Sequence, residues 1–363
     1  VIVDILAFNQ PYLSQPGFLE AFHAAGHRCI SIGWYDEGCD IVTKKDILHY
    51  EEALALLPSG FNPDRVIYFD HSEPLRVFGL DTLSIPTIVH LVDTHIHALL
   101  HPVLAGCFDQ VLLAMRGYGH LFGRTPWLPS ARWFPLWGPQ LGAAPTAPRD
   151  IPVSFRGTFG PTHPKRKAFF GAVGERIEGD FTTGPFFDVY NSSKIILNDC
   201  LNDDLNWRVF EALASGALLL TPRVSAETLE LFPEGECLIT YAPHDAEDAV
   251  QKIQYYLQHE DERLAISSRG YERVRSAHLA HHRASRLVEV VECATSRSKA
   301  DKSFAAAVAY LRIAALYPNF GKREFLDASN ATIRMLTSLS DIDQPWLAER
   351  LPFLRDARDA VVG

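Results

Sequence analysis

The 363-residue chain has little that would let it work through metal clusters, disulfides or a bilayer. Its six cysteines (Cys29, Cys39, Cys107, Cys200, Cys237, Cys293) are scattered, with no C-x-x-C pair. That spacing fits reduced, mostly buried thiols and excludes a zinc or disulfide framework as the organising principle. Apolar runs fall well short of the roughly 20 residues that cross a membrane. No transmembrane segment is therefore expected, which leaves peripheral membrane contact open. Val1 begins a strand-like stretch with no signal-peptide n-region, so the expectation is a soluble, cytoplasmic chain. There is no basic excess either. Lys and Arg total 34 against 44 Asp and Glu, a formal net charge of −10. Nucleic-acid binders are normally basic, so a nucleic-acid partner is not expected. Finally, the first strand is not followed by G-x-G-x-x-G. Asn9–Gly17 holds one glycine and two prolines, which disfavours a dinucleotide site of the dehydrogenase kind.

What is present is an ordinary globular balance, 47% hydrophobic and 21% charged, in a chain long enough for two domains. Val1–Phe8 reads as a strand and is followed by a helix that carries Phe18, Leu19 and Phe22 and stops at Gly26. Cys29–Trp34 reads as a strand and Asp46–Leu57 as a helix. Arg65–Asp70, Thr87–Asp93 and Gln110–Met115 read as further strands. Near-continuous apolar strands alternating with helices predict a parallel sheet covered on both faces, an α/β, Rossmann-like doubly wound unit.

Two of these strands end in polar residues, where open α/β sheets hold ligands. Thr87–Asp93 runs into Thr94, His95, Ile96 and His97. Asp93 reads either as a general base or substrate contact, with His95 beside it, or as a cap for the following helix. His71, His97 and His101 read as surface residues. An H-x-H pair without a Cys or carboxylate partner at ligand spacing gives no reason to expect a metal.

Trp133–Asp150 is dense in Pro, Gly and Ala, and residues 138–150 read as a linker after a first domain of 1–137. The alternation then restarts, predicting a second Rossmann-like domain over 151–297 and a cleft between the two. Pro152–Phe159 is a strand, Lys165–Val173 a helix, Gly179–Thr182 a weak strand, Phe186–Asn191 a short helix and Lys194–Asn198 a confident strand. Arg156 interrupts the first strand, and Lys165 and Arg166 open the helix after a Gly/Pro loop. Cations beside a helix N-terminus can hold a diphosphate, although a solvated basic helix start is a serious rival reading for Lys165 and Lys167.

The densest chemistry lies in Asn198–Pro222, NDCLNDDLNWRVFEALASGALLLTP. An acidic loop follows the strand, and a helix starts near Asn206 and Trp207. Arg208, Glu211 and Ser215 recur at spacings of three and four, on one helix face. A carboxylate there can accept from two vicinal hydroxyls, while the helix N-terminus favours phosphate oxygens.

Residues Asn191–Arg283 resemble the C-terminal domain of GT-B glycosyltransferases, especially the CgeB-like group. Lys194–Asn198, Asn206–Pro222, Leu231–Tyr241, His278 and Arg283 carry the likeness, and R-V-F-E-A-L-A-S-G is its most specific piece. Related retaining enzymes place two glutamates with seven residues between them. Glu211 is similar to the second, which implies a contact with nucleotide ribose. Asp203 stands in the place of the first, and that change leaves retaining or inverting stereochemistry open. By the same resemblance Arg156 and Lys165 or Arg166 would meet the donor diphosphate, with Asn198, Asn206, Trp207, Arg208 and Ser215 around it. The resemblance implies a metal-independent glycosyltransferase without a cofactor. It would move a sugar from a nucleotide-diphosphate sugar to a glycan, protein or small-molecule acceptor, with Asp93 or His95 as the base if it inverts. A nucleotide-sugar 2-epimerase of the same fold, and a non-catalytic scaffold acting through its tail, are the alternatives.

Residues 298–363 read as a helical extension. Phe304–Tyr317 is alanine-rich and Arg323–Leu336 amphipathic, both expected to pack back on the domains.

Overall fold

A computed structural model describes residues 2–9, 18–34, 38–139, 148–159, 163–200, 204–338 and 344–362. They fold into two compact units, the chain passing between them at Phe134/Pro135 and again at Arg283/Ala284.

The first unit is built on β1 (Asp4–Phe8), α1 (Phe18–Ala24), β2 (Arg28–Gly33), β3 (Ile41–Val42), β4 (Leu48–His49), α2 (Tyr50–Leu56), β5 (Arg65–Phe69), β6 (Val77–Phe78), β7 (Thr87–Leu91), α3 (His101–Ala105), β8 (Gln110–Leu113) and β9 (Ala131–Trp133). Seven of the strands form one parallel sheet in the order β3-β2-β1-β5-β7-β8-β9. All five residues of β1 and of β7 are buried, as strands covered on both faces must be. The expected helix over Asp46–Leu57 starts later, at Tyr50. Leu48 and His49 instead pair with Val77 and Phe78 in a small second sheet. Glu52 accepts the His49 N–H at 3.0 Å and closes a capping box that fixes the helix start. Ala131–Trp133, at the edge of the proline-rich stretch, adds a strand beside β8.

The second unit contains β10 (Ile151–Arg156), α4 (Pro164–Gly174), β11 (Asp180–Thr182), α5 (Phe187–Ser192), β12 (Ser193–Leu197), α6 (Trp207–Ser215), β13 (Leu218–Pro222), α7 (Ala226–Leu231), β14 (Ile239–Tyr241), α8 (Ala246–Gln258) and α9 (Glu260–Ala277). Its parallel sheet runs β11-β10-β12-β13-β14. The two sheets with flanking helices realise the expected fold.

α10 (Ala280–Cys293) carries the chain back, and α11 (Lys299–Leu316), α12 (Lys322–Ser338) and α13 (Gln344–Val362) complete the first unit. α11 is no appendage. Phe304, Val308, Tyr310 and Ile313 belong to the same buried cluster as the β-sheet residues Leu6, Val66, Val89 and Val111. Its alanines allow close approach: a Cβ on Gly106 would lie 2.4 Å from the Ala305 Cβ. Lys302 is fully buried, with Nζ 3.1 Å from Asp109 Oδ2 and 3.1 Å from the Leu83 carbonyl. The same carboxylate accepts from the Thr87 N–H and hydroxyl. A buried charge needs this degree of pairing. Among the described residues, no helix is long and apolar enough to cross a membrane.

Candidate active site

In the second unit the residues of the sequence motif meet where β10 and β12 end. Asn198 is buried one residue past β12. Its side chain donates to Thr221 Oγ1 at 3.0 Å, and its Oδ1 accepts from Arg208 Nη1 at 2.7 Å and Asn206 Nδ2 at 3.3 Å. Arg208 also donates through Nε and Nη2 to the carbonyl of Arg156, at 2.9 and 2.7 Å. Its guanidinium lies 4.2 Å from the centre of the Phe155 ring. A planar five-donor fork suits this two-strand clamp. Gly157 makes room for it, since a Cβ there would sit 2.4 Å from Arg208 Nη2.

Glu211 lies one turn further along α6, on the Arg208 side, and is only partly exposed. Desolvation raises its carboxyl from an ordinary 4.5 to about 7, with Arg208 pulling the other way. Asn206 is the N-cap residue, yet its side chain caps none of the helix N–H groups, and its Oδ1 is buried with no hydrogen-bond partner among the described residues. Trp207 packs edge-on against Trp137, ring centres 4.9 Å apart.

Other expected residues are used differently. The Arg156 guanidinium is turned to the sheet edge, where it pairs with both oxygens of Asp180 at 2.8 and 2.5 Å and lowers that carboxyl. What Arg156 presents at the strand end is its backbone carbonyl. Arg166 is buried and holds Asp199 through Oδ2 at 3.0 Å and the backbone oxygen at 2.7 Å, so it braces the loop from within. Lys165 is exposed at the start of α4. Ser215 is buried in the last turn of α6, its hydroxyl donating to the Ala212 carbonyl at 2.7 Å. Facing ligand was the expectation for Ser215, but a helix end needs its polar groups satisfied locally. Asp203 lies outside the described residues.

The first unit has its own polar strand ends. Asp93 adopts a left-handed backbone, φ 48°, and its carbonyl accepts from the Ile96 and His97 N–H groups at 2.9 and 3.3 Å. Ser72, past the neighbouring β5, is also left-handed, φ 62°. Such geometry is strained for residues other than glycine. The buried Asp70 carboxylate bridges the two turns, accepting from Ser72 N–H at 2.9 Å and Val92 N–H at 3.0 Å. Desolvation raises it to about 8 against the lowering effect of those bonds. His95 Nδ1 lies 3.1 Å from Met115 Sδ. His97 and His101 were expected at the surface. They are 9% and 1% exposed, and burial lowers both pKa values. His71 is half-buried and drops to about 4 by desolvation.

A glycosyl transferase-like family model matches residues 143–289, which contain β10 through α9. That stretch, under half of the chain, is similar to the glycosyl transferase-like family, and the fold of the chain is GT-B. Three solved structures share that fold. A glycosyltransferase from Rickettsia africae is 11% identical, with a TM-score of 0.57 over 80% of this chain and 98% of that one. Anabaena HepE, in complex with UDP and glucose, is 11% identical, with a TM-score of 0.55 over 80% and 100%. A sucrose-phosphate synthase from Thermosynechococcus elongatus is 12% identical, with a TM-score of 0.55 over 79% and 98%. No curated protein sequence matches significantly.

Gly157, Tyr190 and Asp199 also belong to the candidate site and were not singled out from the sequence. Tyr190 accepts the Arg156 N–H at 3.2 Å and donates back to its carbonyl at 3.4 Å, steadying the strand end that Arg208 grips. Only Gly157 left a sequence signal, a glycine directly after a strand-ending arginine. Among the described residues, no cluster of three or more His, Cys, Asp or Glu side chains is arranged to hold a metal.

Proposed function

We propose that this GT-B protein transfers a sugar from a UDP-sugar to a hydroxyl-bearing acceptor and that the second unit binds the donor. The observation that carries the reading is Glu211. It is a largely desolvated carboxylate beside a clamped arginine, at the open end of parallel strands, where ligands of α/β folds bind. Two vicinal ribose hydroxyls are its natural donors. The Arg208 fork places three donors on Arg156 and Asn198 and also meets the Tyr190 hydroxyl, which fixes its positive charge at the strand end where an anion would bind. The N–H groups at the start of α6, uncapped by Asn206, add the positive end of a helix.

As the glycosidic bond to phosphate breaks, negative charge grows on the departing diphosphate. Arg208 and the α6 N-terminus are pre-set to stabilise it, which is where electrostatic catalysis gains most. These groups are sufficient without a divalent ion, so turnover should survive EDTA. Asp93 and His95 of the first unit are the acceptor-side candidates. Asp93 would take the proton of the attacking hydroxyl if the reaction inverts. UDP is preferred as the donor nucleotide because HepE, a structural relative, was solved with UDP and glucose.

The test is a thermal-shift titration with UDP-glucose. A ligand at 100 times its Kd adds about 2.7 kcal/mol. Wild type should be stabilised and Glu211→Ala should not. Equal affinity in the two proteins would sink the ribose assignment.

A further inference from the structure

The two strained turns of the first unit are tied to a helix more than 200 residues later in the chain. His97 donates or accepts at both ring nitrogens: Nε2 lies 2.9 Å from Ser72 Oγ, and Nδ1 lies 3.1 Å from the hydroxyl of Tyr317, the C-cap residue of α11. The His97 ring is tilted against His101, centres 5.0 Å apart. His101 in turn sits 3.3 Å from Asp70 Oδ2 through Nε2 and 2.9 Å from Thr94 Oγ1 through Nδ1. Every branch ends on the Ser72 turn or on the residues flanking Asp93. Arg312, also on α11, donates to the Leu99 carbonyl within the same loop.

α11 spans the sheet. Lys302 is anchored at Asp109, where β8 begins, and Tyr317 reaches the ends of β5 and β7. Fifteen residues at 1.5 Å rise cover about 22 Å, the length of such a crossing. Asp70, Thr94, His97 and His101 are buried while Ser72 and Tyr317 are half-buried, and the buried members cost stability unless each is satisfied. An apolar contact would fasten the helix end as well, without fixing the two turns.

We propose that Tyr317 is a positioning residue which holds the Asp93 turn through His97. The proposal rests on reading Asp93 as an acceptor-side group, and it gives the C-terminal helices a part in the site. Tyr317 touches no reacting atom. Its hydroxyl locks the His97 ring, the ring fixes Ser72, and Asp70 carries that constraint to Val92 and hence to Asp93.

Full-length Tyr317→Phe removes one oxygen and leaves the helix packing. Amide hydrogen exchange by mass spectrometry should show residues 91–101 opening about tenfold faster, one ordinary hydrogen bond at 1.4 kcal/mol per decade. With UDP-glucose as probe, kcat for UDP release should fall about tenfold while the donor KM stays unchanged. Tyr310→Phe is the control. That hydroxyl, on the same helix, meets Asp81 at 3.4 Å, so exchange over 91–101 should stay at the wild-type rate. Exchange in Tyr317→Phe no faster than in Tyr310→Phe overturns the tether. Faster exchange together with an Asp93→Asn protein that turns over at the wild-type rate overturns the part played by Asp93. Loss of UDP-glucose binding in the wild-type protein would strike the donor reading alone, since the exchange arm needs no ligand.

Discussion

The two polar strand-end regions of this molecule are made in opposite ways. In the second unit, Asn198, Asn206, Arg208 and Glu211 come from one strand–loop–helix stretch, joined by Gly157 and the Arg156 carbonyl of the neighbouring strand. The site is charged and short-range in sequence. In the first unit the network runs from Asp70 through Ser72, Thr94, His97 and His101 to Tyr317. It is dominated by histidines whose pKa burial lowers, and it is assembled across most of the chain. A ligand site that binds fixed charges can be encoded in one motif. A turn that must be held in a strained conformation needs supports from wherever the fold brings them.

The largest effect should come from severing the long-range arrangement. Lys302→Ala leaves Asp109 buried without its ion-pair partner, next to Thr87, the Arg297 N–H and the more distant Arg297 guanidinium. Breaking a buried pair in this way costs about 3–5 kcal/mol. Denaturant unfolding of the first unit should show that loss. The second unit, whose core is separate, should keep its own midpoint. Equal destabilisation of both units would abolish the distinction drawn between them.

Next is Glu211→Ala, aimed at the short-range site. Hydrogen bonds to a charged group contribute about 1.5–3 kcal/mol, so donor Kd should rise about 10- to 100-fold. Isothermal titration with UDP-glucose measures this. Folding of the first unit should be indifferent to the change.

These two residues also mark how far the sequence could be read. Glu211 stood out because R-V-F-E-A-L-A-S-G binds chemistry, helix period and strand junction into nine adjacent residues. The alternating apolar runs likewise announced the parallel sheets, since strands buried on both faces have little freedom of composition. Lys302 gave no such signal. A lysine in an alanine-rich helix reads as solvated until the helix is seen to lie under the sheet. The histidines misled for the same reason: burial is a property of three-dimensional packing, and nothing within ten residues of His97 points to Tyr317. Arg156 was noticed correctly as an anomaly in an apolar strand. Its partner Asp180 sits on the adjacent strand β11, a pairing that only the sheet register reveals.

Gly157→Ala should have a smaller effect, again confined to the second unit. The added methyl would meet Arg208 Nη2 at 2.4 Å, and the guanidinium must shift from the Arg156 carbonyl. Loss of one to two of its hydrogen bonds, about 1–2 kcal/mol, predicts a roughly tenfold fall in kcat for UDP release. Stability of the second unit should fall as well, because the same methyl would meet the buried Phe155 ring at 2.6 Å. If kcat stayed at the wild-type value, Arg208 would not be the group that stabilises the leaving diphosphate.

The most selective test is the one that separates binding from folding at a single residue. The Glu211 carboxyl titrates near 7 in the folded chain against an ordinary value of 4.5, mainly because it is desolvated. Between those two values the folded state holds a proton that the unfolded state has lost. Stability therefore falls as pH rises from about 4.5 to about 7, and above 7 the charged carboxylate is a standing cost. Glu211→Gln cannot ionise. Its melting temperature should match wild type near pH 4.5, diverge upward through pH 7 by a few degrees, and hold a constant lead beyond. Donor affinity should move the other way at pH 8, because the amide lacks the second acceptor oxygen and the charge that the ribose hydroxyls would meet. A residue kept for packing would lose stability and gain nothing when neutralised. One kept for a ligand shows the reverse, and the pair of curves decides which describes Glu211.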